Sequence, residues 1–507
     1  MPVPPEIRAV PRPKNTIVED RGREGPKRYA VRARGAIKWI PGKNPQPHNG
    51  KVIGHIINGK FVALANKENN QNLIPDMLSY GSAALIKSVS DDLLSDLLKV
   101  YDPVEAYTIM SIASIKVIRP GTTARTMSTH YNRTFVSIYY PGATLSQNSI
   151  CKLYKNLGSD GQKRKAFYQL RIKNVSEEYH ILIDGTLKQD TSNVNDLSSY
   201  SYKAKNRTHK DLSVVYAYNL ERMEPICAEV FPGNCIDATS YASFIRDNDI
   251  KAGVIIADKG FPPSSIKEEL SKRPNLHFLT PIKRNDSRIE NNDMLSFQGV
   301  LENVANKVRY CKKQIKGGHF LYAFRDAELA GKEEATRLTR AKKNNDYDNE
   351  KFSKKEKTFG VMVLESDLDL DPLTAYKAYS ERWLIELMFK RYKSDECLDL
   401  TNNQGDFSVI GSEFVNFIST TLTARIVKII EDSGLLKNQS YADVMDDLSS
   451  AWRKVSAPLG LPQTKDEFWV HTNSVVFDEL EKLGLCTPLP KEETAPKRRG
   501  RPRKKAS

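Results

Sequence analysis

Three acidic residues stand where chemistry would want them. Asp184 closes the apolar run YHILID and is followed by Gly185 and Thr186; Asp258 closes GVIIAD and is followed by Lys259, Gly260 and Phe261. Open sheets present functional groups near the carboxyl ends of their strands, and both aspartates stand where a β-branched run gives way to polar text. A single Asp-Gly in such a place is most often a turn residue capping a strand. Two in one sheet, with a third acid on a helix, point to a shared site. The third is Glu386, in AYSERWLIELMFKRYKSDE. At about 100° per residue, and relative to Tyr379, Arg382 falls at about 300°, Glu386 at about 340° and Lys393 at about 320°. These four share one stripe of a single helix, while Leu384, Leu387 and Met388 lie on another arc. The plain alternative is a salt-bridged surface helix in which Glu386 pairs with Arg382 or Lys390.

Phosphodiester cleavage needs an activated oxygen nucleophile and a stabilised leaving oxygen. Two Mg²⁺ ions about 3.5–4 Å apart serve both, held by hard carboxylates from separate elements. Asp184, Asp258 and Glu386 fit that ligand set, with Mn²⁺ as a possible substitute. Arg382 and Lys393 fit the non-bridging phosphate oxygens, and Tyr379 adds a hydrogen bond. The six cysteines form no CxxC pair and the histidines do not cluster, which argues against zinc and against a disulfide framework. A net charge of +15, from 77 Lys and Arg against 62 Asp and Glu, favours a polyanionic partner. Nucleic acid is the first candidate and an anionic membrane surface the second. No run of about 18 apolar residues suggests a spanning helix, and MPVPPEIRAV lacks a signal-peptide core. These features together imply a soluble, basic, cytoplasmic protein in a reducing compartment.

The surrounding text divides accordingly. Residues 1–26 read as a flexible arm, and 27–70 alternate as a small β-rich module. Residues 71–175 take helical spacing, with Ser146 as an N-cap, and form the expected DNA-binding region. EYHILIDGT, DLSVVYAYN, EPICAEVF, GVIIADKGF and LHFLTPI give the first part of an α/β core, 176–282, with a helix near Tyr241–Asp249. Residues 283–370 form a β-rich insertion through KVRYCKKQI, HFLYAFRD and FGVMVLES. Residues 371–455 return to helix with the acid-bearing segment, 456–490 close the folded chain, and 491–507 form a disordered basic tail.

At this point the residues resemble the DDE transposases of bacterial insertion sequences, in the group named after insertion sequence four. Its third block is Tyr-x2-Arg-x3-Glu-x6-Lys, and YSERWLIELMFKRYK follows it from Tyr379 to Lys393. DGT at Asp184 and DKGF at Asp258 resemble the first and second blocks. The resemblance covers about residues 178–430. It implies a ribonuclease-H-like core interrupted by a β-rich insertion, two Mg²⁺ ions on Asp184, Asp258 and Glu386, and phosphate gripped by Tyr379, Arg382 and Lys393. It also implies cut-and-paste transposition by 3′-OH strand transfer on double-stranded DNA, a homodimer pairing two element ends, and a bacterial, nucleoid-associated location. Some members trap a flipped base on an insertion-domain aromatic, often Trp. Here Trp39, Trp383, Trp452 and Trp469 all lie outside 283–366, and Tyr310, Phe320, Tyr322 and Phe324 read as core packing.

Arg499-Gly500-Arg501-Pro502 resembles an AT-hook, an extended Arg-Gly-Arg that fits the narrow, electronegative minor groove of A·T-rich DNA. A polybasic tail held by counterion release is the alternative. Two other readings of the whole remain open: a ribonuclease-H-like nuclease without strand transfer, and an inactive or domesticated DNA-binding regulator.

Overall fold

The structure, a computed structural model, describes residues 2–22, 24–25, 27–35, 49–63, 76–201, 209–235, 237–258, 263–345 and 347–488. The chain divides into two compact units, residues 1–75 and 76–507.

In the first unit a short helix, α1 (Pro5–Arg8), precedes β1 (Thr16–Asp20), β2 (Tyr29–Arg34), β3 (Asn49–Ile57) and β4 (Lys60–Ala63). The four strands pair antiparallel in sequence order, three of them within residues 27–70 and β1 before them. Residues 1–26 are not a loose arm. β1 pairs with β2 along its whole length, and Val10 and Val18 join Val31 and Ile56 in a small core against which Val3 and Ile7 pack. These apolar residues are too few and too widely spaced to give a periodic signal, yet they suffice to cover one sheet face.

The second unit opens with β5 (Met77–Ser79) and then runs helical. Its helices are α2 (Gly81–Ser88), α3 (Asp91–Leu98), α4 (Pro103–Ile118), α5 (Met127–Tyr131), α6 (Val136–Tyr139), α7 (Gln147–Ser159) and α8 (Gly161–Ile172). Asp102 caps α4 by accepting from the Val104 and Glu105 amides, with Pro103 in the first turn, where its missing N–H is no loss. Ser146 caps α7 through the Ser149 amide, the role its position predicts.

The chain then builds a ten-stranded mixed sheet. β6 (His180–Asp190), β7 (Lys210–Asn219) and β8 (Glu224–Pro232) form an antiparallel meander. Helix α9 (Asp237–Asp247) leads to β9 (Ala252–Ile256), and α10 (Pro263–Ser271) leads to β10 (Asn275–Pro281). β9 runs parallel to both β6 and β10.

The expected insertion does not fold apart from this sheet. After α11 (Ser287–Asn291) come β11 (Gly299–Val300), β12 (Val308–Gln314) and β13 (Phe320–Asp326), then α12 (Ala327–Asn344), α13 (Asn349–Glu356) and β14 (Val361–Ser366). β14 pairs with β10, so these strands continue the core sheet in the order β11-β12-β13-β14-β10-β9-β6-β7-β8. The insertion is also less β-rich than its sequence suggests. The charged stretch after β13 folds into two largely exposed helices, α12 starting on an Asp326 cap and stopping at Asn345 in the left-handed region. A separate small core of Ile282, Ile289, Met294, Leu321, Val361 and Val363 underlies this extension.

Helices α14 (Pro372–Ser380) and α15 (Trp383–Ser394) follow, and β15 (Leu400–Thr401) adds to β6. Next come α16 (Asp406–Asp432), α17 (Tyr441–Ser449), β16 (Trp452–Lys454), β17 (Trp469–Val470) and α18 (Ser474–Lys482). β16 lies between β17 and β5 in a small antiparallel sheet, so residues 371–455 are not helical to their end. α16, the longest helix, is buried along most of its length and packs on α7, α4 and β8. The α7–α16 crossing runs through glycines: a Cβ on Gly158 would stand 1.7 Å from the Phe407 carbonyl oxygen, and one on Gly411 1.8 Å from that of Tyr154.

Candidate active site

Strand register brings the two aspartates together. β6 and β9 run parallel with Leu182 opposite Ile256, and that is the last pair of their ladder. Asp184 and Asp258 each lie two residues further on, Asp184 still within β6 and Asp258 in the loop that follows β9. Asp184 does not end its strand, as the sequence suggests, but is fifth of eleven residues in β6, paired with Tyr216 of β7. Along the edge that β9 has left, the next partner of β6 is β15, at Gln189 and Asp190. Between Leu182 and Gln189 that edge has no strand partner among the described residues, and Asp184 lies on this stretch. Asp258 is exposed, at the end of the described part of its loop. The rest of the DKGF block, Lys259, Gly260 and Phe261, lies outside the described residues.

Tyr379 and Lys393 are not on one continuous helix. Asp371 caps α14 through the Leu373 and Thr374 amides, and the helix ends at Ser380. At the junction the Arg382 amide donates to Tyr379 O at 3.1 Å and the Leu384 amide to Glu381 O at 2.9 Å, a tight i→i+3 pattern. α15 then starts at Trp383, burying Ile385, Met388, Phe389 and Tyr392 and leaving Glu386 exposed. The uniform helical stripe drawn from the sequence is therefore interrupted by a turn at Glu381 and Arg382.

Arg382 is the hub of the site. Its Nη2 contacts Glu386 Oε1 at 2.7 Å, and its guanidinium lies 6.0 Å from the centre of the Tyr379 ring. Burial works against the guanidinium charge, but Tyr379, Glu386 and Asp258 together hold the group above its ordinary pKa. Burial pushes the Asp184 carboxyl up, opposed by the Gly185 amide, the Tyr241 hydroxyl and the Arg382 charge; the neighbouring Asp258 adds to the rise. The Tyr241 hydroxyl of α9 donates to Asp184 Oδ1 at 3.1 Å, and the Gly185 amide to the same oxygen at 2.8 Å. Asp184, Asp258, Tyr379, Arg382 and Glu386 thus form one electrostatic neighbourhood. Lys393 stands apart. It is seven residues from Glu386, about 10 Å along the helix axis, and burial lowers its pKa against the pull of Asp399 and Asp211.

Among the described residues no three His, Cys, Asp or Glu side chains converge closely enough to hold a metal ion. Glu386 is turned to Arg382 and Asp184 to Tyr241. The donor set nevertheless suits a hard divalent cation: three carboxylates from three elements, one of them half-buried and raised in pKa by burial.

Sequence reasoning missed two contributors. Tyr241 gave no signal, because a tyrosine near a helix start is ordinary. Trp383 was visible, but as a tryptophan outside the insertion. It is 55% exposed, at the rim of a cavity of about 230 Å³ beside Arg382. Phe324 and Met362 from the sheet and Tyr376 and Tyr379 from α14 line the same cavity. Tyr322, by contrast, is buried; its hydroxyl donates to Leu368 O at 2.9 Å and accepts from the Leu370 amide, as core packing requires. Arg499, Gly500, Arg501 and Pro502 lie outside the described residues.

Residues 176–402 match the family described as the transposase DDE domain. The chain carries a DDE transposase domain. The matched stretch begins just before β6 and ends with β15, so it contains all three acids, helices α14 and α15 and the sheet extension. As an enzyme the chain is of the DDE-type DNA transposase class. No curated protein matches it. Among solved structures, a piggyBac transposase synaptic complex with hairpin DNA aligns at 12% identity, covering 74% of this chain and 80% of that one, with a TM-score of 0.39. A Mos1 transposase paired-end complex with the left transposon end aligns at 12% identity over 31% of this chain and 54% of that one, with a TM-score of 0.14. No helix among the described residues of the transposase is long and apolar enough to cross a membrane.

Proposed function

We propose that the protein catalyses cut-and-paste DNA transposition: metal-dependent cleavage at the ends of a mobile element, then 3′-OH strand transfer into target DNA. The observation that carries the reading is the register of β6 against β9, which brings the loop bearing Asp258, two residues beyond the end of β9, beside the stretch of β6 bearing Asp184, with Glu386 joined to the same neighbourhood through Arg382. On this reading the sheet and its covering helices are a ribonuclease-H-like core. The Tyr-Arg-Glu-Lys spacing from Tyr379 to Lys393 supports placing the chain in the insertion-sequence-four group.

Asp184, Asp258 and Glu386 would hold two divalent ions, Mg²⁺ by preference, with Mn²⁺ as substitute. Such ions lower the pKa of an attacking water or hydroxyl and offset charge on the leaving oxygen. Arg382 releases Glu386 and turns to the non-bridging phosphate oxygens, where a guanidinium can bond two at once. Tyr379 donates to the same phosphate. Lys393, at the far end of α15, meets the DNA backbone away from the scissile position. The AT-hook-like residues Arg499 to Pro502 add affinity for A·T-rich minor groove, and two copies of the chain pair two element ends.

Strand joining separates this reading from a nuclease. With a labelled, pre-nicked element end and plasmid target in Mg²⁺, the transposase reading expects the label covalently joined to target. Cleavage without joining, under conditions where ends are bound and paired, supports the nuclease instead.

A further inference from the structure

Behind the acids the molecule buries charged and polar side chains that the proposed reaction does not use. Lys188 lies four residues after Asp184 on β6, so both side chains leave the same face of the strand. Its buried ammonium donates to Glu413 Oε1 at 2.7 Å and to the Tyr392 hydroxyl at 3.1 Å. Tyr392 is on α15, six residues after Glu386, and its hydroxyl donates to Glu413 Oε2 at 2.6 Å. Glu413, on α16, also accepts from Asn416 Nδ2 at 2.9 Å, and Asn416 accepts from Lys116 of α4 at 2.5 Å. One run of hydrogen bonds therefore ties β6, which bears Asp184, to α15, which bears Glu386, and anchors both to α16 and α4.

Such a network is costly to bury, at several kcal/mol per ion, and apolar side chains of similar volume often stabilise a core as well or better. What it supplies is register. The rest of the buried face of α15 is apolar (Ile385, Met388 and Phe389), and its first turn has no side-chain cap. Apolar contact tolerates a small slide of one element along another, whereas a hydroxyl bonded to two fixed partners does not. The other polar tie from α15 to α16 is the looser pair of Arg391 with Glu431, at 3.4 Å.

We propose that Lys188, Tyr392 and Glu413 are positioning residues that hold α15 in one register against β6 and so set Glu386 relative to Asp184. The inference rests on the reading of these acids as the reacting set.

Tyr392→Phe tests it with least disturbance, because it keeps the ring that packs edge-on against Tyr216 and removes only the hydroxyl. The expected result is a folded protein with near-normal DNA-end binding. Its cleavage falls about 10- to 100-fold and its half-saturating Mg²⁺ concentration rises, the size seen when groups supporting a metal ligand are lost. Amide exchange over residues 386–392 should also quicken without added metal. A second variant, Lys188→Met with Glu413→Leu, replaces the buried pair by apolar groups. It leaves the Tyr392 hydroxyl and the Asn416 amide without these partners, so it should melt lower than wild type, yet stay folded, bind DNA ends and cleave as poorly as Tyr392→Phe. The proposal is overturned if both variants fold and show unchanged Mg²⁺ dependence and unchanged exchange in α15. If wild type itself cuts with neither Mg²⁺ nor Mn²⁺, the reading of the acids fails, and the exchange comparison still decides whether the network holds the helix.

Discussion

Arg382 and Glu386 are bound to each other, Nη2 to Oε1 at 2.7 Å, across the start of α15. In the free protein the group proposed to grip phosphate thus neutralises the acid proposed to hold metal, and loading the site means exchanging that partner.

Arg382→Ala separates the two roles. Cleavage should fall by about 10²–10³, the cost of removing one preorganised group that stabilises transition-state charge. The half-saturating Mg²⁺ concentration should stay level or drop, because Glu386 is freed. Rates measured across a Mg²⁺ series check this, and a requirement for more Mg²⁺ counts against the proposed division of labour.

Asp184 carries a pH prediction. Burial raises its carboxyl, so between the unfolded and folded pKa values the folded state binds more protons, and stability falls as pH rises through that window. At neutral pH its ionised form is a net cost to the metal-free fold. Asp184→Asn should therefore raise the metal-free melting temperature at pH 7, with a smaller gain at pH 4, while cleavage drops by at least about 10³, the scale of losing a group from an interdependent catalytic set. Calorimetry in chelator at the two pH values, beside the cleavage assay, reads both effects.

Much of this site was legible in the sequence, for physical reasons that also mark where legibility stopped. β-branched runs ending in Asp betrayed the two strands, because burial on both faces removes polar alternation. The break between α14 and α15 left no trace, since no Gly or Pro marks it and the wheel of Tyr379, Arg382, Glu386 and Lys393 assumes one unbroken helix. β14 reads as a strand, but its partner is decided by the register of β10, so the insertion looked like a separate domain. Nothing in the sequence singles out Lys188 and Glu413, because their burial depends on elements more than 200 residues apart in the chain.

Glu396 predicts a second pH effect away from the acids. Burial pushes its carboxyl up to about 8, although the Thr420 hydroxyl and Lys116 favour the ionised form. The folded state keeps that proton where the unfolded chain has lost it, so this group erodes stability as pH rises from about 4.5 to 8. Glu396→Gln should stabilise the protein more at pH 8.5 than at pH 5, as read by melting temperature. Equal gains at both values contradict the assignment.

The crossing of α7 and α16 should be intolerant of any side chain at its glycines. Gly411→Ala places a methyl against the Tyr154 carbonyl, at a distance no Cβ adopts, and relief requires the helices to part. A loss of about 1–3 kcal/mol or more is expected from overpacking of this kind, measured by denaturant unfolding. A neutral result shows that the helices are free to separate there.

The central claim is that Asp184, Asp258 and Glu386 act as one metal-holding set. The most direct measurement is Mg²⁺-dependent nicking of DNA carrying the element ends, for wild type and for Asp184→Ala, Asp258→Ala and Glu386→Ala, with end binding measured in parallel. The account predicts that wild type nicks and that each variant binds the ends but does not cut, with either Mg²⁺ or Mn²⁺. A variant that still cuts at near wild-type rate removes that residue from the set, and a wild type that binds without cutting contradicts the account as a whole.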